Sequence, residues 1–290
     1  MLSLDVTSIL AGLPAGGAYA LLGVCLVFTY RLVAVVNFTG AAIGAVGTFT
    51  LVLLHEHGFP LWPGVGLGLI AGMLAAIVLG LVMVTWFSEA PAQTKAAVTV
   101  ALLVGIVAIG LRVTGGQHPR PFPDLIPGPA FTIAGVVITK AAVATIGLAI
   151  AFAGAATLFL NNTRTGLQLR ALSERPTTAE LLGMRTRVLS IGVWAVAGIA
   201  TTLALMLIAP QRPPNFMTLS LLVVPAFAAA LIGFFRSFWL TLVGGLALGM
   251  IEGFTASIDE LQQFRGTVPF LIILAVLLWS QRNERWDEAR

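Results

Sequence analysis

Residues 62–87, WPGVGLGLIAGMLAAIVLGLVMVTWF, run for 26 positions without one charged side chain. A helix of about 20 apolar residues crosses the hydrocarbon core of a bilayer, and this is one of several stretches of that length here. Reading apolar runs along the chain gives nine, at about 8–30, 33–54, 62–87, 95–113, 140–160, 188–209, 216–235, 238–258 and 266–281. A soluble fold is excluded by supply: 10% of residues are charged and 58% hydrophobic, where soluble domains carry about 25% charge. The period-2 alternation of an outer-membrane barrel is absent. The sequence therefore predicts an all-α polytopic membrane protein, a single transmembrane domain over 1–290 with about nine transmembrane helices.

Charge sets the expected orientation. The net charge is +4, and the basic residues sit in short loops between apolar runs, which reads as a topology signal and not as nucleic-acid binding. Placing 161–187 in the cytoplasm puts eleven of the 16 Lys and Arg inside: Arg31, Lys95, Arg164, Arg170, Arg175, Arg185, Arg187, Arg236, Arg282, Arg285 and Arg290. Arg112, Arg120, Lys140, Arg212 and Arg265 fall outside. The positive-inside rule then favours an external N-terminus and a cytoplasmic C-terminus. MLSLDVTSIL has no base before its first apolar run, so the first helix is expected to be retained. The single cysteine, Cys25, lies within an apolar run and can form neither an internal disulfide nor a metal cluster.

The apolar runs are not uniform. Gly12 and Gly16, Gly40 and Gly44, Gly68 and Gly72, and Gly245, Gly249 and Gly253 each lie four apart, a spacing that lets helix backbones approach closely. Pro14 and Pro225 should kink or break their spans. Asn37, Thr39 and Gly40, followed by Gly44 and Gly47, make a weak start to the second span. It reads either as a broken segment of the kind transporters use at midplane sites or as a helix end among headgroups. Glu252 stands alone in GGLALGMIEGFTASI, in the outer half of its span, where it lines a vestibule or braces two helices. No metal-ligand spacing, nucleophile–base pair or phosphate-binding glycine loop occurs, and His55, Glu56 and His57 read as a solvated loop. The residues point to no enzyme.

Two connecting loops are long. Residues 114–139 are proline-rich and then alternate like a short strand pair, forming either a rigid external cap or a docking surface. Residues 161–187, NNTRTGLQLRALSERPTTAELLGMRTR, hold five arginines and two glutamates. Thr177 and Glu180 have capping-box spacing and Gly183 can end the helix they begin. The product is a helix of one or two turns offering Leu181 and Leu182, suited to a groove on another protein or to the lipid surface, with flanking arginines near anionic headgroups.

Three stretches together resemble the permease subunits of branched-chain amino acid ABC importers, the hydrophobic amino acid uptake group. They are GLPAGGAYALLGVCLVFTYRLVAVVNFTGAAIGAVGTF (12–49), TRTGLQLRALSERPTTAELLGMRTRVLS (163–190) and LLVVPAFAAALIGFFRSFWLTLVGGLALGMIEG (221–253). The resemblance implies that residues 173–184 form a cytoplasmic coupling helix docked in a cleft of an ATPase. Leu181 and Leu182 would be its plug, Arg175, Thr177 and Glu180 its capping and pairing groups, and Gly183 its exit turn. It also implies two ATPase subunits that bind the ATP, a second permease or a copy of this chain, an external solute-binding protein, and residence in a bacterial inner membrane with no cofactor of its own. The expected path residues are Asn37, Thr39, Gly40 and Glu252. Many relatives follow the Asn-Phe pair with histidine, glycine and an acid, whereas this chain reads Asn37-Phe38-Thr39-Gly40-Ala41-Ala42. The solute class implied is therefore broad: branched-chain or other small amino acids, urea or short amides. A stand-alone secondary transporter or channel is the competing reading, though such a carrier would be expected to hold several buried ionisable groups. A membrane scaffold without transport would leave the polar weak points of the second span unexplained.

Overall fold

The computed structural model describes residues 2–116, 120–133, 135–174, 179, 184–213, 215–258 and 260–288. In chain order the helices are α1 (Leu2–Ala11), α2 (Leu13–Val33), α3 (Gly40–Glu56), α4 (Leu61–Trp86), α5 (Ala92–Val113), α6 (Lys140–Asn162), α7 (Arg164–Glu174), α8 (Thr186–Ile208), α9 (Phe216–Ser220), α10 (Val223–Ile232), α11 (Phe238–Ala256) and α12 (Val268–Glu288). Strands β1 (Pro129–Ile133) and β2 (Val136–Thr139) pair antiparallel between α5 and α6, with Phe131 opposite Ile138 and Gly135 at φ 83 in the turn. The alternating stretch of the long loop thus does form a strand pair. The hairpin marks one end of the bundle, and the basic connection after α6 marks the other, the loop end.

Seven helical stretches among the described residues are long and apolar enough to span a membrane: 13–33, 61–86, 92–113, 140–162, 186–211, 238–256 and 262–281. The two other expected spans are not continuous helices of that length. The second is replaced by an extended run from Val35 to Asn37 and the 17-residue α3. The seventh is divided at Leu221 and Leu222 into α9 and α10. Both expected proline breaks sit in a first helical turn, where a missing N–H costs nothing: Pro14 opens α2 after Gly12, and Pro225 opens α10.

Helix starts are fixed locally. Thr139 accepts the Ala142 N–H at 3.2 Å, Thr163 the Gly166 N–H at 2.9 Å, Asn215 the Thr218 N–H at 2.7 Å and Ser237 the Leu240 N–H at 3.2 Å. Each satisfies a donor that the helix itself leaves unpaired.

The core is made by two crossings of the same kind. On α11, a methyl at Gly245 or Gly249 would collide with α2 at Ala20 or Gly16, and one at Gly253 with the Ser8 carbonyl of α1 and with Gly12 between α1 and α2. On α4, a methyl at Gly68 would strike Met206 and Gly47, and one at Gly72 would strike Thr202 of α8. Backbones held this close are what the four-residue glycine spacing predicts. Gly40 departs from that pattern, since a methyl there would meet nothing nearer than Thr201 Cγ2 at 3.8 Å. Around this centre, α4, α5, α6 and α12 turn large apolar side chains outward, among them Ile70, Val104, Leu158 and Leu274, as expected of surfaces facing lipid.

Candidate translocation site

The candidate site begins with a failure of helix. After Arg31, whose guanidinium lies 5.0 Å over the Phe238 ring, α2 ends at Ala34 in the left-handed region, φ 52. The chain then doubles back into the bundle. Asn37 Oδ1 accepts the Thr39 N–H at 3.0 Å and the Thr39 hydroxyl at 2.5 Å, closing a local turn that competes with helix. The Thr99 hydroxyl of α5 donates to the Val36 carbonyl at 2.9 Å. Non-helical backbone inside a membrane protein needs such internal partners, and these bonds supply them.

Depth follows from the neighbours. Asn37 and Gly40 line a cavity with Leu22 and Cys25 from the middle of α2, Ala197 from the middle of α8, and Val223 at the start of α10. The N-terminal ends of α3 and α10 therefore meet near half height. The broken reading of the second span describes this geometry; the reading as a helix end among headgroups does not. The space there is ≈ 10 Å³, about one water, so the bundle is closed at this level. Asn37 and Thr39 are both buried.

Glu252 belongs to a second group, nearer the hairpin end. It is 4% exposed and its Oε2 accepts the Tyr19 hydroxyl at 2.7 Å. Arg212 Nη2 donates to the same phenolic oxygen at 2.7 Å, and Arg265 Nε stands 3.9 Å from the carboxylate. The four side chains line a cavity of ≈ 310 Å³, walled by Leu222, Pro225 and Phe270 among others. Glu252 lines this cavity and, through Tyr19, ties α11 to α2. It is not brought together with Asn37, Thr39 and Gly40. The sequence reading missed Tyr19, and it placed Arg212 and Arg265 only as boundary charges. A tyrosine within an apolar run, one of two in the chain, was the available signal.

Arg175, Thr177, Glu180, Leu181, Leu182 and Gly183 lie outside the described residues. Their approach is described: α7, which the sequence reading did not anticipate, buries Leu169 and Leu172, and Ala179 beyond it is buried too. A methyl at Gly166 would strike the Phe159 carbonyl, so α7 turns tightly off α6. Among the described residues no group of three or more His, Cys, Asp and Glu could hold a metal ion.

A family model described as the permease component of the branched-chain amino acid transport system matches residues 8–277. The high-affinity branched-chain amino acid transport system permease protein BraD of Pseudomonas aeruginosa is 24% identical over 288 residues, covering 92% of this chain and 91% of its own. The corresponding permease LivH of Salmonella typhimurium is 25% identical over 286 residues, and that of Escherichia coli K12 is 25% identical over 282, each with 92% and 91% coverage. A solved complex, PsaBC from Streptococcus pneumoniae with a Fab, aligns with 93% of this chain and 89% of that one at 16% identity and a TM-score of 0.49, a likeness too loose to build on.

Proposed function

This chain belongs to the branched-chain amino acid transport system permease family, and from that premise we propose how it works: a small amino acid, delivered from outside by a solute-binding protein, crosses between α2, α3, α8 and α10 through the constriction at Asn37, Thr39 and Gly40. Family membership makes it a transport subunit of an ABC importer and not an enzyme, and sets aside the stand-alone carrier. The observation that carries the path is the meeting of two helix N-termini at half height, where the backbone is broken and Asn37 and Thr201 are the polar side chains in an otherwise apolar lining. Helix N-termini carry partial positive charge, which suits a passing carboxylate. A closed neck with few charges suits a solute handed over by another protein without tight binding in the membrane.

In this reading the hairpin end faces outward and the loop end faces the cytoplasm of a bacterial inner membrane. The chain pairs with a second permease or with its own copy. Residues 173–184 dock on one of two ATPases, which bind the ATP, and the paired permease docks on the other. Co-purification from the native membrane tests this. ATPase chains should accompany the tagged permease and be lost when Leu181 and Leu182 are both changed to aspartate. A chain that arrives alone, and moves solute in vesicles without ATP, would sink the reading.

A further inference from the structure

Two cations line one cavity at the loop end, and among the described residues no carboxylate joins them there. The cavity, ≈ 260 Å³, lies between the turn joining α4 to α5, the foot of the extended segment at Val35, and the first turn of α8. Lys95, in the first turn of α5, is 8% exposed and has no ion-pair or hydrogen-bond partner among the described residues. Arg187, the second residue of α8, lines the same space, as does Ser190, 7% exposed, whose hydroxyl also has no partner among the described residues. Helix α8 starts without a side-chain cap from Arg185, so the positive end of its dipole adds to the two cations. No carboxylate stands among the described lining residues. A buried ammonium is costly without a counter-charge, and a second cation lining the same cavity adds to that cost, so the cavity suits an anion.

The surroundings say which anion. The cavity sits where α4, α5 and α8 all end, at headgroup depth. Trp86 and Val188, chain neighbours of lining residues, are 70% and 65% exposed and give it an apolar, lipid-facing margin; tryptophan is a headgroup-level residue. Its inner wall is apolar, with Val35, Met83 and Trp194. A guanidinium, an ammonium and a hydroxyl lining one cavity suit the oxygens of a phosphodiester, and basic pockets between spanning helices hold anionic headgroups. We propose that this cavity binds the phosphate of an anionic phospholipid, its acyl chains lying against Trp86 and Val188. The lipid then bridges Leu172, which leads into the coupling segment, and Val35, which leads to Asn37, so that membrane composition acts on the connection between them.

The proposal is independent of which way the chain faces. Its test is native mass spectrometry of the full-length chain with phosphatidylglycerol and phosphatidylcholine supplied equally. One phosphatidylglycerol should stay bound at activation that strips phosphatidylcholine, and Lys95→Met and Arg187→Gln should each weaken its retention about fivefold. Lys140→Gln, at the hairpin end, should leave it unchanged. Equal retention of the two lipids, or full retention in Arg187→Gln, an exposed position that folding does not depend on, overturns it. So does displacement of the lipid by excess inorganic phosphate, which would mark a site for the free anion. Loss of co-purifying ATPase with lipid retention intact would assign the pocket to a partner's carboxylate instead.

Discussion

A methyl group separates packing from passage in α3. At Gly44 it would sit 2.6 Å from the Thr201 carbonyl oxygen, backbone that cannot step aside, so Gly44→Ala should cost about 2 kcal/mol and lower the melting temperature. At Gly40 it meets ordinary contact distance, and Gly40→Ala should melt with the parent protein. Thr202 offers the opposite test. Its hydroxyl is buried with no partner among the described residues, so Thr202→Val should raise stability by about 1 kcal/mol in the same melting experiment. Glu252→Leu strips the acceptor from Tyr19 in a buried position and should cost about 2 kcal/mol, whereas Glu252→Gln keeps an acceptor oxygen there and should cost less. Equal losses in the two variants would mean that charge, not the bond to Tyr19, is what holds the site.

The element that governs transport in this account is the extended run before α3. Asn37→Leu or Thr39→Leu removes the turn that holds it and fills the neck. Uptake into cells should fall while the assembled complex purifies in normal yield; unchanged uptake would remove both residues from the path. This weak point was legible because its causes are local: a polar residue that bonds its own backbone, and glycines in series. The glycine crossings were legible for a similar reason, since spacing along one helix is enough to define a smooth face. The Arg212–Tyr19 bond was not, because its partners are 193 residues apart and nothing near either announces the other. Helix α7 was overlooked because arginines and a serine hide its short apolar face, whose Leu169 and Leu172 find cover only on neighbouring helices. Nor does a polar residue in a run declare its depth. Glu252 and Asn37 both read as path residues, yet they line two separate cavities.

Across the whole molecule, orientation can be read chemically. Cys25 is the chain's one cysteine and is buried, so the natural protein should resist a membrane-impermeant maleimide. Thr132→Cys, exposed on the hairpin, should be labelled in intact cells, and Glu174→Cys, exposed at the end of α7, after permeabilisation alone. The reverse pattern would invert the proposed topology. The structure also joins the middle of the bundle to its hairpin end by a single stiff piece. Helix α3 is about 25 Å long, with one end forming the neck at Gly40 and the other ending at Glu56, which pairs with Arg120 of the long loop before the hairpin. A continuously hydrogen-bonded helix resists compression, and the run before it, Val35 to Asn37, has no helical bonds to resist anything. If the neck at Gly40 is the gate proposed above, whatever grips the loop at Arg120 holds the handle of a push-rod whose tip is that gate.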